Sequence, residues 1–326
     1  MTRLASLLLT AGVLLFIGVL VSQGLPAVIG TLASAGWGLL LVALFHLLPL
    51  VLDGAAVRVL LSGPRAQRDG TLARWVAESV NSLLPAGQIG GPVVMVRLLV
   101  LRGRPVGPAG GAVTVAATLQ AVGQVLFALL GLGVLGAAAG PSARALHTAV
   151  VVAAIMVAVP VAGFYLAQRR GLFGGVMRRL AALGGRPTWG GYVCHAEAID
   201  QAITQNWQRG GAVCASFVLN FAGWLVGTGE VYLILWLMGH PVSWSASLVL
   251  ESLGQAIRGA AFMVPGGLGV QEGGYLLLAP LVGLPPQTGL ALSLAKRSRE
   301  LLLGLPGLLY LHQAEAGSAA LRRQSS

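Results

Sequence analysis

Long apolar runs separated by short polar stretches restrict this chain to folds that cross a membrane. Six of these runs approach or exceed the roughly 20 residues that one membrane-spanning helix needs. They lie near residues 4–22, 33–61, 108–138, 146–167, 211–238 and 287–312. Only 10% of the 326 residues are charged, against about 25% in soluble domains. We therefore predict an all-α integral membrane protein with about six full transmembrane helices, forming a single membrane domain over residues 1–326.

Positive charge concentrates in the polar stretches between these runs. The chain carries 21 Lys and Arg residues against 10 Asp and Glu, a net charge of +11. Most arginines lie near residues 58–74, 97–104 and 168–209, and loops rich in Lys and Arg remain on the cytoplasmic side of a membrane. The pattern predicts a multi-pass membrane protein with both termini in the cytoplasm, a cytoplasmic basic loop at about 168–209 and no nucleic-acid partner.

The sequence offers little that points to a processed leader, a metal or a cofactor. The run from Leu4 to Val21 is longer than the ~7–15-residue apolar core of a signal peptide, so we interpret it as a retained first helix. Cys194 and Cys214 lack the spacing of metal ligands. No nucleophile or nucleotide-binding motif is present in the sequence. We predict no metal and no cofactor, and we favour a protein that is not an enzyme.

Two further apolar segments, 75–103 and 244–284, are too long for one plain span and are interrupted by Pro and Gly. Proline removes a backbone donor and glycine weakens a helix. The interruptions are Pro85-Ala86-Gly87 and Gly90-Gly91-Pro92 in the first segment and Pro265-Gly266-Gly267-Leu268-Gly269 in the second. We interpret each segment as two half-helices that meet at a turn inside the membrane, a re-entrant hairpin. The alternative is a kinked full span.

The two halves of the chain match at an offset of 180 residues. Residues 83–87 align with 263–267, and Pro105 aligns with Pro285. The pattern predicts repeat A at about 33–138 and repeat B at about 211–312, and the single span between them inverts the second repeat. The alternative is a coincidence of short motifs. Inverted repeats with broken helices that meet near the midplane are typical of transporters.

The last span carries a charged group near the middle of the membrane: Lys296, Arg297, Arg299 and Glu300. Each such residue costs at least ~2.5–3.5 kcal/mol to insert and therefore marks function by default. Glu300 lies four residues from Lys296 and three from Arg297, so it can pair with either. A surplus of two positive charges remains, and arginine matches phosphate bidentately. We predict an anionic-headgroup site near the midplane; solvation of the group by water is the alternative.

Charged and polar residues of the two hairpins complete the predicted site. Glu272 begins the second half-helix, where a carboxylate is favoured, and it either caps that helix or offsets the basic group and carries a proton. Glu251 and Arg258 are expected to pair across the hairpin or to extend to the outer interface. Glu78 and Asn81 occupy the comparable arm of the first hairpin.

Other polar residues have more ordinary interpretations. Asp53 is expected to pair with Arg58 near the interface, and Glu230 lies in the fifth long span. The histidines, His46 among them, lie mostly at span ends and are expected to be interfacial. Residues 192–208 show a moderate amphipathic pattern, which predicts a helix on the cytoplasmic surface.

Two stretches resemble a known family. Residues 264–274 (VPGGLGVQEGG), followed by 290–300 (LALSLAKRSRE), resemble the transmembrane region of lysylphosphatidylglycerol synthases and related flippase-like proteins, closest to the hopanoid-biosynthesis-associated branch. Residues 81–85 (NSLLP) with Gly90-Gly91 resemble the first-hairpin motif of the family, although Gly91-Pro92 stand where many members have an acidic residue, which weakens the expectation of one carboxylate per hairpin. The resemblance implies a lipid-flipping membrane domain without the soluble synthase domain. It marks as family-pattern positions Pro265, Gly266, Gly267, Gly269, Glu272 and Arg297.

Three functions remain open at this point. The inverted repeat and the mid-membrane cations favour a translocator for a membrane lipid: a phospholipid, a phosphorylated isoprenoid or a hopanoid. The first alternative is a membrane-embedded transferase acting on a lipid or isoprenoid, with Glu272 or Glu78 as general base. The second is a non-catalytic scaffold that recruits hopanoid-biosynthesis enzymes through 168–209. Lipid-scrambling assays separate the first function from the others, and product analysis separates an enzyme from a scaffold.

Overall fold

The structure is a computed structural model, and it describes residues 30, 33–61, 66–84, 87–138, 158–184, 189–261, 264 and 267–324. Within these ranges the secondary structure is helical, without strands. The first half contains α1 (Gly38–Leu60), α2 (Ala66–Leu83), α3 (Gly87–Leu101), α4 (Val106–Ala138), α5 (158–169), α6 (Leu172–Gly184) and α7 (Trp189–Gln208). The second half contains α8 (Gly210–Leu237), α9 (Trp244–Ala260), α10 (Val270–Leu278), a 3₁₀ turn (Ala279–Val282) and α11 (Pro286–Gln324).

Helices α1, α4 and α8 are long and apolar enough to cross a membrane. On α1, large apolar side chains face outward, among them Leu40, Leu41, Leu44, Leu48 and Val51. An apolar face of this size is unusual on a soluble monomer and is what lipid contact requires. The predicted all-α membrane fold is confirmed, whereas the number of six full spans stays a prediction. The predicted first span, and most of the fourth, lie outside the described residues.

Each interrupted segment forms a helical hairpin, because its two arms pack against each other: α2 against α3, and α9 against α10. In the first hairpin, the side-chain Oδ1 of Asn81 accepts a hydrogen bond from the backbone N–H of Gly91 at 2.8 Å. A straight helix with a kink does not bring residues ten apart into this contact. The first break falls between Leu83 and Gly87 and the second between Ala260 and Val270, as predicted. The other predicted interruption, Gly90-Gly91-Pro92, is wrong, because these residues lie inside α3.

The first hairpin begins earlier than the sequence suggests. Its first arm starts at Ala66 instead of near residue 75. The buried residues of this arm recur every three or four positions and include polar Asp69, so the Arg-bearing stretch is an amphipathic helix and not a loop. Hydropathy alone does not distinguish the two, because an amphipathic helix has a low average.

The largest contacts between the two halves are those of α1 with α8, α2 with α11, α4 with α9 and α4 with α8. In two of these pairs, a glycine allows the two helices to approach each other closely. A Cβ atom on Gly131 of α4 would lie 1.7 Å from the Ser252 hydroxyl of α9, and one on Gly307 of α11 would lie 2.1 Å from the Ser79 hydroxyl of α2. Each hairpin is therefore held against a long helix of the other half, and Arg258 of the second hairpin donates to the Ser82 hydroxyl of the first at 3.4 Å.

The predicted amphipathic helix is present as α7. It packs mainly on the first turns of α4, where Ile199 and Ala202 contact Gly110 and Gly111. Ile203 is fully buried in the same core. The apolar face of α7 therefore packs against α4, so this helix is part of the helical bundle.

Candidate functional site

A cavity of about 310 Å³ lies between the two hairpins and the long helices. Its lining comes from α1, α2, α3, α4, α8, α9 and α11, so both halves of the chain contribute. Eight charged side chains contribute to the wall: Asp53, Arg74, Glu78, Glu230, Glu251, Arg258, Lys296 and Arg299, together with His46. Ionisable groups between membrane-spanning helices almost always mark a substrate or ion pathway.

Lys296 and Arg299 of α11 pair with carboxylates from three other helices. The Lys296 ammonium donates to Glu251 Oε2 at 2.6 Å and lies 3.7 Å from Glu230 Oε1. Arg299 Nη1 lies 3.0 Å from Glu78 Oε1, and Arg299 Nε lies 3.3 Å from Glu230 Oε1. All of these groups are buried except Glu78, which is partly open. Charge pairing therefore ties α11 to α2, α8 and α9.

A second group on α11 faces the second hairpin. Arg297 donates to Glu272 Oε1 at 2.9 Å and to Glu300 Oε2 at 3.2 Å. The other oxygen of Glu272 accepts from the backbone N–H of Gly269 at 2.7 Å. Glu272 therefore caps α10 and offsets the basic group at once. Glu300 also accepts from Arg258.

The surplus of two positive charges expected on the last span is wrong. Ten connected groups form what we call the central network: His46, Glu78, Glu230, Glu251, Arg258, Glu272, Lys296, Arg297, Arg299 and Glu300. It holds four Lys and Arg residues against five carboxylates, so the network is neutral only when His46 is protonated. The sequence count failed because it included only charges on one helix. The expectation that Glu251 and Arg258 pair across the hairpin or extend to the interface is also wrong, because it too considered only the charges of one segment.

His46 lies at the centre of this network and not at an interface as expected. Its Nδ1 lies 2.6 Å from Glu230 Oε2, and its Nε2 lies 2.8 Å from Glu78 Oε1. Asp53 pairs with Arg74 at 2.9 Å, so the expected pairing with Arg58 is also wrong, and Arg58 is exposed. His46 and Asp53 are seven residues apart and share one face of α1, a spacing that could have indicated a polar face in an apolar helix.

Besides Arg299 Nε, which lies 3.3 Å from Glu230 Oε1 without a hydrogen bond, three N–H groups of the cavity wall have no hydrogen-bond acceptor within the described part of the chain. They are Arg74 Nε, Asn220 Nδ2 and Trp224 Nε1. Asn220 is only 4% exposed, and it lies one helical turn from Trp224 on α8. Buried donors without acceptors cost about 1–3 kcal/mol each. These residues carry no motif, and sequence reasoning missed them.

A separate charge cluster, the Asp69 clamp, closes the polar end of the first hairpin. Asp69 in the first turn of α2 accepts from Arg102 Nε at 2.6 Å and from Arg104 Nη2 at 2.9 Å. Burial opposes ionisation of Asp69, but the hydrogen bonds and charges of the two arginines outweigh burial and hold the pKa of the carboxyl below its ordinary value. Arg102 also donates to the Tyr310 hydroxyl of α11 at 2.9 Å.

The family follows from a match over nearly the whole chain. The sequence profile described as lysylphosphatidylglycerol synthase TM region matches residues 3–307. The chain belongs to this family. Comparisons with curated proteins and with solved structures give no match. Membership confirms the resemblance and identifies a membrane protein related to lipids, while the hopanoid branch stays a prediction.

The structure brings most of the predicted family positions together. Glu272 and Arg297 contact each other, Glu78 joins the network through Arg299, and Asn81 both lines the cavity and ties α2 to α3. Gly267 and Gly269 have positive φ angles of 62° and 76° in the break before α10. Pro85, Pro265 and Gly266 lie outside the described residues.

Proposed function

We propose that this protein moves a lipid between the leaflets of the bacterial inner membrane, with the polar headgroup passing through the charged cavity. The cavity itself carries the proposal: charged and polar groups line a space within a bundle that exposes many large apolar side chains. A headgroup cannot cross hydrocarbon without losing its solvation, which is costly for polar and especially for charged groups. A polar path inside the protein removes this barrier, while the acyl chains remain in the bilayer.

The headgroup that suits this cavity is anionic. Arg74, Asn220 and Trp224 present N–H groups that need acceptors, and phosphate oxygens are strong acceptors that pair well with arginine. We place the headgroup at this subsite on α2 and α8, because Arg74 pairs with Asp53 through Nη2 and keeps its Nε without an acceptor, whereas the cations on α11 lie among several carboxylates. A phospholipid or a phosphorylated isoprenoid carries such a phosphate. A bare hopanoid is neutral, so a link to hopanoid biosynthesis would involve a different lipid or a partner enzyme.

An inverted repeat would let the cavity open to each side in turn. The contacts of α1 with α8, of α2 with α11 and of α4 with α9 support this arrangement. The first contact joins elements that correspond in the two repeats, and the other two become equivalent when the repeats are exchanged. Transporters with inverted repeats move one repeat against the other around a fixed central site. We therefore propose two repeats, hairpins that enter from opposite faces, and both termini in the cytoplasm.

Cysteine labelling tests this orientation. Cys194 and Cys214 are exposed and are first replaced by serine. Single cysteines at Ser142→Cys and Arg178→Cys should then react with a membrane-impermeant reagent from the outside and the inside of the cell, respectively. Labelling of both positions from the same side would contradict the inverted repeat.

Reconstitution tests the function. Purified protein in vesicles should expose fluorescent phosphatidylglycerol from the inner leaflet to a reductant added outside, and phosphatidylcholine more slowly. The matched control is Leu44→Ala on the outward apolar face, which should behave as wild type. Vesicles that match protein-free vesicles would reject the proposal, and a new lipid product detected by mass spectrometry would favour a transferase.

A further inference from the structure

His46 Nε2 has two neighbours with incompatible hydrogen-bonding requirements. Glu78 Oε1, at 2.8 Å, needs a donor, whereas Arg299 Nη1, at 2.7 Å, needs an acceptor. One ring nitrogen either donates or accepts, according to its protonation. The other ring nitrogen, Nδ1, lies 2.6 Å from Glu230 Oε2 and donates in both cases. The site is therefore built for two protonation states of one imidazole.

Each state leaves every charged neighbour with a partner. In the imidazolium, Nε2–H donates to Glu78, and Arg299 keeps its contacts with Glu78 at 3.0 Å and with Glu230 at 3.3 Å. In the neutral ring, Nε2 accepts from Arg299, and Glu78 keeps its contact with Arg299. Loss of the proton thus exchanges one hydrogen bond for another and leaves no buried charge without a partner.

A proton has a short route between His46 and the cavity. The Glu78 side chain is 28% exposed and lines the cavity, whereas the Glu230 side chain is 2% exposed. When the Nε2–H bond breaks, an O–H bond forms at Glu78 Oε1, and the imidazolium and carboxylate become imidazole and carboxylic acid. Glu78 then releases the proton to solvent entering the cavity. Reversal of these steps loads His46 again.

Charges from every neighbouring helix bear on His46. Residues 106–138 of α4 contain no titratable side chain, so α4 adds none. The groups facing His46 are Asp53 on its own helix, Arg74 and Glu78 on α2, Glu230 on α8, and Lys296 and Arg299 on α11. With His46 neutral the central network carries one net negative charge, and with His46 protonated it carries none.

We propose that His46 is a proton-binding site and that the protein carries a proton together with an anionic lipid headgroup. Because this rests on the proposed function, the sign of the coupling follows from charge. A phosphate enters the cavity more readily when the network is neutral, so headgroup binding favours the protonated state. By reciprocity, protonation favours headgroup binding to the same degree. The lipid should therefore move in the same direction as the proton.

Nuclear magnetic resonance of histidine-labelled, full-length protein in lipid nanodiscs tests the proton site without transport. The His46 ring signals are assigned by their loss in His46→Gln. We expect one ring nitrogen to change between protonated and unprotonated forms in a titration from about pH 5 to about pH 10, because buried groups can titrate several units from their ordinary pKa. Dihexanoyl phosphatidylglycerol should move the midpoint upward. A ring that keeps one charge state throughout would overturn the proposal, whatever the transport result.

Vesicles with an imposed pH gradient and a clamped membrane potential test the coupling. Fluorescent phosphatidylglycerol should accumulate in the leaflet facing the more alkaline compartment, by up to about tenfold per pH unit for one proton per lipid. Reversing the gradient should reverse the accumulation. In His46→Gln, which keeps a donor and an acceptor but does not titrate, the gradient should have no effect, and Leu44→Ala should follow wild type.

The outcomes separate the two proposals. Wild-type vesicles that translocate the lipid equally in both gradient directions would overturn proton coupling and leave the translocator intact. Wild-type vesicles that translocate no labelled lipid would overturn both. Accumulation of the labelled lipid in the leaflet facing the acidic side would contradict the proposal that the lipid moves in the same direction as the proton.

Discussion

The central network and the Asp69 clamp are both clusters of buried charge, but their polar atoms are satisfied to different degrees. In the clamp, both oxygens of Asp69 accept short hydrogen bonds from arginine, and no member lines the cavity. In the network, Glu230 Oε1 and Arg299 Nε lie 3.3 Å apart without forming a hydrogen bond, and several members border the cavity. We therefore expect the saturated cluster to stabilise the fold, and we propose that the unsaturated one binds a ligand or a proton.

The largest expected effect separates stability from transport within the network. Arg299→Gln leaves Glu78 and Glu230 without their main cation, and breaking a buried pair costs about 3–5 kcal/mol. We expect that loss in the free energy of unfolding in detergent and no lipid translocation. The double variant Arg299→Gln/Glu230→Gln should recover most of the stability but not translocation. Full recovery of translocation would show that the network only supports the fold.

A smaller effect is expected at the clamp, and it should be confined to stability. Asp69→Asn keeps one oxygen acceptor for the two arginines and therefore loses one hydrogen bond to a charged group, worth about 1.5–3 kcal/mol. Thermal unfolding should occur at lower temperature, while lipid translocation per folded molecule remains at the wild-type level. Loss of translocation in correctly folded Asp69→Asn would break the distinction between the two clusters.

The clamp also predicts how stability depends on pH. The pKa of Asp69 is lower in the folded protein than in the unfolded chain, where it is about 3.9. Its contribution is therefore complete above that value and is lost as the pH falls through the folded pKa. The stability difference between wild type and Asp69→Asn should shrink on acidification below about pH 4. A difference that grows on acidification would contradict the assignment.

The smallest effects are expected where single donors line the cavity. Asn220→Leu and Trp224→Phe each remove a donor while keeping the approximate shape of the side chain. One neutral hydrogen bond contributes about 0.5–1.5 kcal/mol, so the affinity for dihexanoyl phosphatidylglycerol should fall about two- to tenfold in each variant. Stability should rise slightly, since a buried unpaired group disappears. Unchanged affinity in both variants would show that the headgroup does not bind at this subsite.

The sequence predicted the elements better than the partners of the charged residues. The spans and the hairpin breaks follow from apolar length and from Pro and Gly, both of which are local properties. The contact between His46 and Glu230 joins residues 184 positions apart, and it depends on how α1 packs against α8. The counting of charge on α11 failed for that reason, because the balancing carboxylates Glu78, Glu230 and Glu251 come from other helices.

The most direct test of the central claim places a single cysteine in the cavity. Asn220→Cys, in protein without Cys194 and Cys214, should react with a small charged thiol reagent, and dihexanoyl phosphatidylglycerol should slow the reaction. Modification should stop lipid translocation, whereas modification of Leu44→Cys on the outward face should not. Fully modified Asn220→Cys protein that still translocates phosphatidylglycerol at the unmodified rate would show that the headgroup does not pass through this cavity.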